Sequence, residues 1–95
     1  MSHEGYHERL EKLSAGTQDM HRAIVSLIEE LEAVDWYNQR VDACGDSELR
    51  AILAHNRDEE KEHAAMVLEW MRRKDPKLDK ELKDYLFTEK AIAHQ

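Results

Sequence analysis

DACGDS, at residues 42–47, separates two long segments that share a helical pattern of apolar residues. Gly45 suits the left-handed conformation that often follows the last turn of a helix. Asp46 or Ser47 can cap the next helix, because their side-chain oxygens accept hydrogen bonds from free backbone amides. The stretch therefore predicts that one helix ends and another begins here.

The segments on either side of this break have the apolar spacing of amphipathic helices. The first runs from about residue 14 to 41 and the second from about 48 to 73, with apolar side chains every three or four residues. Asp75 can cap a third helix over 76–88, with Pro76 in its first position. Residues 1–12 are polar and predict a flexible arm or a short helix.

The short connection decides how the helices are arranged. Two long helices joined by about six residues predict an antiparallel hairpin. At 95 residues, the chain forms one small domain whose own core is marginal. A hairpin alone also leaves a long apolar stripe exposed, which self-association would cover. We therefore expect an all-α fold in which residues 1–95 form half of a four-helix unit that dimerisation completes.

The composition limits the partners. The formal net charge of -7 argues against nucleic acid, which needs an excess of Lys and Arg, whereas an acidic surface attracts cations. Cys44 is the single cysteine, so neither an intramolecular disulfide nor a cysteine-based zinc site is expected. The sequence shows no secretory signal and no apolar run of the roughly 20 residues that a membrane span needs. We expect a cytoplasmic protein that does not enter the membrane.

Three polar residues fall on the apolar faces of the two long helices. At about 100° per residue, Glu60 lies at the centre of the second helix's apolar face, and His63 follows one turn later. Glu30 shares the apolar face of the first helix. Charged residues are seldom buried unless they are paired or bind a metal. Carboxylates and imidazoles bind iron, manganese and zinc, so these three residues are candidate metal ligands.

The number of candidate ligands predicts a shared site. Ferritin-like di-iron bundles use one Glu from each of two helices and a Glu-x-x-His pair from each of two others. This chain has half of that set, in Glu30 and in Glu60 with His63, and a second copy would supply the rest. The same residues could instead form a buried Glu–His ion pair in a structural or regulatory dimer. A rubrerythrin-like di-iron protein that consumes peroxide is a further alternative.

Two blocks of the sequence resemble encapsulated ferritins: EELEAVDWY at 29–37 and HNRDEEKEHAAM at 55–66. The resemblance spans roughly residues 22–87. It implies a ferroxidase centre between two subunits of a ferritin-like unit, and dimers that close into a decameric ring inside an encapsulin shell, where ferric iron is mineralised. It implies that Glu30, Glu60 and His63 bind two iron ions per dimer interface and react them with dioxygen, with Tyr37 beside the centre as a catalytic residue. Family members usually end in a tail that docks to the shell, and no such tail is recognisable before Gln95.

Two further groups of side chains are candidate cation sites. By the same resemblance, Glu29 and Glu32 form a site at which metal enters; a solvated acidic face is the alternative. His55, Glu59 and Glu62 lie within about 60° of one another on the second helix. They predict a peripheral site for Ca²⁺ or another divalent cation, or an ordinary exposed surface.

Overall fold

The computed structural model describes residues 5–93 as a helical hairpin followed by a short third helix. A 3-10 turn at Leu10–Lys12 precedes helix α1 at Ala15–Ala43. Helix α2 spans Ser47–Lys74 and helix α3 spans Pro76–Tyr85. α1 packs along α2, and α3 packs against α2. The predicted all-α fold, with a two-helix hairpin and a short C-terminal helix, is confirmed.

The connection between α1 and α2 is tighter than predicted. Only Cys44–Asp46 lie outside the helices, and Asp46 caps α2 by accepting a hydrogen bond from the Leu49 amide at 2.8 Å. The expectation that Gly45 adopts a left-handed conformation is wrong. Cys44 leaves α1 in an extended conformation, and the Arg50 guanidinium donates two hydrogen bonds, of 3.0 and 2.6 Å, to its carbonyl. The chain thus leaves α1 in an extended conformation, and Arg50 on α2 bonds the C-cap carbonyl.

Helix α3 begins as predicted and ends early. Asp75 accepts hydrogen bonds from the amides of Lys77 and Leu78, both at 3.1 Å, and Pro76 opens the helix. The helix ends at Tyr85 rather than at 88, because the next residue is extended and Phe87 has a φ of 56°. Of the predicted N-terminal arm, residues 1–4 lie outside the described part of the chain.

Arg72 on α2 forms a polar contact with α3. Arg72 donates two hydrogen bonds of 2.7 Å to the carboxylate of Glu69, one turn earlier on α2. It also donates one to Asp79 on α3. Arg73 adds a third hydrogen bond to Glu69, at 2.6 Å. The bonds from Arg72 and Arg73 lower the pKa of Glu69 to about 2, so this contact is a charged one at neutral pH.

The core of the single chain is small. Among residues 5–93, only Ala64 and Met71 are buried. The chain exposes 7525 Å², whereas a compact monomer of 11.2 kDa exposes roughly 5,700 Å². In the described part of the chain, no helix has the length and apolar character needed to cross a membrane. Much of the exposed surface is apolar, including Ile24, Leu31, Trp36, Leu49, Ile52, Met66, Trp70, Leu86 and Phe87.

Candidate metal centre

Three side chains converge on the hairpin, one from α1 and two from α2. Glu30, Glu60 and His63 each offer a ligand atom, and these atoms lie within 4.8 Å of one another. The Nδ1 atom of His63 is 3.5 Å from Oε2 of Glu30 and 3.7 Å from Oε1 of Glu60. The structure thus brings together the three residues that the sequence predicts as ligands.

Helix geometry explains why these side chains meet. Residues three apart on an α-helix project from the same face, which places His63 above Glu60. The apolar stripe around them packs against α1, and Glu30 lies in the stripe of that helix. The convergence therefore follows from two amphipathic helices whose packed faces each carry a carboxylate.

The cluster is covered on one side and open on the other. The side chains of Glu30 and Glu60 are each 24% exposed, and that of His63 is 43% exposed. Two carboxylates and one imidazole are donors that suit a divalent iron ion. Three donors would leave further coordination positions of such an ion for ligands from elsewhere. The residues present therefore fit iron, and they leave room for ligands from outside the chain.

Glu60 disfavours the charged form of the neighbouring Glu30. The pKa of Glu30 is raised above its ordinary value of 4.5, first by a hydrogen bond with Glu60, then by partial burial and by repulsion from the Glu60 charge. The imidazole of His63 acts in the opposite direction. A pair of carboxylates this close favours either a shared proton or a bound cation. A divalent ion would relieve the repulsion that the fold builds in.

Tyr37 lies on the same face of α1 as Glu30, about two turns further along the helix. At about 1.5 Å per residue, this is a rise of roughly 10 Å. The Arg40 guanidinium lies 5.2 Å from the centre of the Tyr37 ring, so a cation–π contact holds the ring. The catalytic role of Tyr37 remains a prediction.

The two candidate peripheral sites are not assembled within one chain. Among residues 5–93, the group of Glu30, Glu60 and His63 is the one in which three or more potential ligands meet. Nε2 of His55 lies 3.3 Å from Oε1 of Glu59, with both side chains more than half exposed. Glu29 and Glu62 are exposed, and Glu32 is half-buried. These two sites remain predictions, and each would need ligands from another chain.

Sequence reasoning missed one polar contact beside the cluster. Arg57, one turn before Glu60, donates a hydrogen bond of 3.1 Å from Nη1 to Oδ1 of Asn38 on α1. Its side chain is 22% exposed, which is low for an arginine. The available signal was its position, about 60° from Glu60 and so at the edge of the apolar face.

The fold and the cluster define an all-helical, ferritin-like hairpin that brings two carboxylates and one imidazole together. The chain belongs to the EncFtn-like family, which it matches over residues 5–89. The predicted resemblance to encapsulated ferritins is thereby confirmed.

Three curated relatives support the assignment. The chain is 69% identical over 86 residues to an encapsulated ferritin-like protein of Rhodospirillum rubrum, covering 90% of this chain and 61% of that protein. It is 55% identical over 87 residues to a ferritin-like protein of Thermotoga maritima, covering 92% and 76%. It is 32% identical over 71 residues to the encapsulin nanocompartment cargo protein EncC of Myxococcus xanthus, covering 75% and 55%. The chain thus spans about three fifths of the length of the first of these relatives.

A solved structure shows the same fold. The crystal structure of protein ne0167 from Nitrosomonas europaea is 76% identical and superposes with a TM-score of 0.91. The match covers 95% of this chain and 99% of that one. The hairpin with its short third helix is therefore the architecture of a close relative.

Proposed function

We propose that two copies of this chain form a ferroxidase centre that oxidises Fe²⁺ with dioxygen. The observation that carries the proposal is the convergence of Glu30, Glu60 and His63 within 4.8 Å on a partly open face. A ferritin-like di-iron site needs twice this ligand set. A two-fold axis beside the open face would supply four carboxylates and two imidazoles for two iron ions.

The exposed surface around the cluster supports a second copy as the partner. Ile52 and Trp70 project from α2 within about 20° of His63, and they are 53% and 36% exposed. This apolar flank lies beside the cluster of three candidate ligands. A second copy could cover the flank and complete the ligand set in one interface. The accessible surface of the isolated chain, 7525 Å², is larger than that of a compact monomer, which also supports a second copy as the partner.

The chemistry that the site would support is a two-electron reaction. Two Fe²⁺ ions, which are the substrate, each lose one electron. Dioxygen gains these two electrons and two protons, and the products are two Fe³⁺ ions and hydrogen peroxide. Two metal ions held about 3.5–4 Å apart can both contact one oxidant. Four carboxylates balance the charge of two ferrous ions and favour the more highly charged ferric product.

The ferric product would have to be stored elsewhere, because a two-helix hairpin has no interior in which mineral can grow. The names of two relatives, the encapsulated ferritin-like protein of Rhodospirillum rubrum and the encapsulin nanocompartment cargo protein of Myxococcus xanthus, refer to enclosure in a compartment. We extend this to the present chain: its dimers form a decameric ring that is held in an encapsulin compartment and supplies ferric iron to it.

Iron oxidation in air tests the proposal. The full chain, mixed with Fe²⁺ and followed by the ferric absorbance, should consume one dioxygen for every two iron ions. Glu60→Gln and His63→Ala should abolish this iron oxidation, because each removes a ligand from both halves of the site. Glu48→Gln removes the same charge from the first turn of α2 and should leave the rate unchanged. Equal rates in wild type and Glu60→Gln would refute the proposal.

The alternative of a structural ion pair is separated by metal binding. His63 lies 3.5 and 3.7 Å from the two carboxylates, which also suits an ion pair, and in that case the protein would neither bind nor oxidise iron. The alternative of a peroxide-consuming di-iron protein is separated by kinetics. The ferroxidase reading predicts that the reduced, iron-loaded protein reacts faster with dioxygen than with hydrogen peroxide.

A further inference from the structure

Arg57 and Asn38 join the two long helices beside the candidate metal centre. Nη1 of Arg57 donates to Oδ1 of Asn38 at 3.1 Å, across the hairpin. Nε of Arg57 donates to Oδ1 of Asp58, also at 3.1 Å. The guanidinium is therefore held from two sides, and its side chain is only 22% exposed. Asp58 in turn accepts a contact of 3.2 Å from Lys61, which keeps this carboxylate in place.

The cluster depends on the lengthwise register of α1 against α2. Apolar stripes that repeat every three or four residues pack almost equally well after a slip of one turn, which is about 5.4 Å. Such a slip would exceed the 3.5 Å that now separates His63 from Glu30. The loop at Cys44–Asp46 limits such a slip but does not by itself exclude it, because three extended residues span roughly 10 Å. Glu30 lies about 20 Å along α1 from this loop.

The Arg57–Asn38 bond lies between the loop and the cluster. Arg57 is one turn from Glu60, and Asn38 is about two turns from Glu30, both on the loop side. In paired helices, a polar contact can select one register over its neighbours; here the half-buried Arg57 makes that contact with the exposed Asn38. The hydrogen bond between Arg57 and Asn38 would be lost if the helices slipped by one turn. It therefore disfavours a slip that apolar packing alone would permit.

We infer that Arg57 is a positioning residue which, by bonding Asn38, sets the register at which Glu30 meets Glu60 and His63. The inference rests on the proposed function, since register has a chemical consequence only if these residues bind metal. Arg57 touches neither the metal nor dioxygen in this account. It acts through the distance between the ligands of α1 and those of α2.

Cobalt binding without oxygen tests this role, because Co²⁺ is spectroscopically visible and does not turn over. The full chain would be titrated as wild type, Arg57→Gln, Asn38→Leu and the double variant. Each single variant should bind Co²⁺ about tenfold more weakly, the lower end of the range for residues that orient metal ligands, and should show an altered visible spectrum. The double variant should be no weaker than either single one, because both changes remove the same bond.

Two further variants separate positioning from charge and from general stability. Arg73→Gln removes the same charge from an exposed arginine that bonds Glu69 within α2, and it should leave affinity and spectrum unchanged. Arg57→Lys keeps one donor and the charge, and it should bind Co²⁺ within about threefold of wild type. Unchanged affinity and spectrum in Arg57→Gln would overturn the inference, as would fully additive losses in the double variant.

A readout without metal keeps the two proposals distinguishable. In the metal-free protein, a nuclear Overhauser effect between the His63 ring and the Glu30 side chain reports the register directly. It should be present in wild type and Arg73→Gln and lost in Arg57→Gln. If wild type binds no Co²⁺ but the signal is present in wild type and lost in Arg57→Gln, the ferroxidase proposal fails and the register assignment stands. If wild type binds Co²⁺ and Arg57→Gln keeps both signal and affinity, only the register assignment fails.

Discussion

The Nδ1 atom of His63 on α2 lies 3.5 Å from Oε2 of Glu30 on α1. The two residues are far apart in the sequence, and the turn of the hairpin brings them together. With Glu60 one turn before His63, they form a cluster of two carboxylates and one imidazole that is closed by the helices on one side and open on the other. This arrangement is the basis of the proposed di-iron centre, in which it would supply half of the ligand set.

Glu30→Gln should weaken iron binding more than about 100-fold, because a ligand atom is lost and not merely an orienting partner. The amide keeps the shape of the side chain, so the hairpin should remain folded. Anaerobic titration with Fe²⁺, with circular dichroism on the same samples, measures both properties. Wild-type affinity in Glu30→Gln would remove this residue from the ligand set.

Ile52→Asp should prevent dimerisation and abolish iron oxidation together. Ile52 is 53% exposed and projects from the same flank of α2 as His63, where the second copy is proposed to dock. A buried, unpaired carboxylate there would be costly. Ala51→Asp adds the same charge on the side of α2 opposite Glu60, about 120° from His63, and serves as the control. Native mass spectrometry and the oxidation assay report the two effects, and a monomeric Ile52→Asp protein with full activity would contradict a shared site.

Glu69→Gln should destabilise the fold at neutral pH and not in strong acid. The folded pKa of Glu69 is about 2 because Arg72 and Arg73 donate hydrogen bonds to it, against an ordinary value of 4.5. A lowered carboxyl pKa stabilises the folded state above pH 4.5, and this contribution is lost as the pH falls from 4.5 towards 2. Thermal unfolding of metal-free wild type and variant should differ at pH 7 and converge over that window.

The same comparison has an internal control. Glu89→Gln removes an equal charge outside the three helices and should produce no such pH-dependent gap. Because the Glu69 contact is solvent-exposed, added salt should narrow the gap at pH 7. A gap that is constant from pH 7 to pH 2 would show that the carboxylate charge is not its cause.

Glu29→Gln combined with Glu32→Gln should slow iron uptake without changing the final iron content. Acidic side chains outside the centre raise the local concentration of cations, which affects the rate of arrival more than the affinity of the centre. Stopped-flow oxidation at low and at saturating Fe²⁺ separates an effect on the rate of arrival from an effect on the centre itself. The predicted result is a slower reaction at low iron only, and equal slowing at both would place these residues in the centre itself.

Much of the fold follows from local sequence features. The repeating apolar positions predict both long helices. Asp46 and Asp75 cap the helices that follow them, as their side-chain chemistry predicts. The meeting of Glu60 and His63 is a property of any α-helix, and the presence of Glu30 opposite them follows once the loop is known to be short.

The features that sequence reasoning missed depend on long side chains reaching across the structure. Arg50 on α2 bonds the carbonyl of Cys44 at the end of α1. Arg72 fastens α3, and Arg57 bonds α1. An arginine in an amphipathic helix reads simply as polar, and its partner depends on the position of a neighbouring element. Helix periodicity cannot give that position.

Anomalous diffraction at the iron edge tests the central claim most directly. Crystals of the full chain would be grown without oxygen in the presence of Fe²⁺. We predict two iron peaks about 3.5–4 Å apart at a two-fold axis, with Glu30, Glu60 and His63 of both chains as their ligands. Iron bound within a single chain, or no iron at these residues, would contradict it.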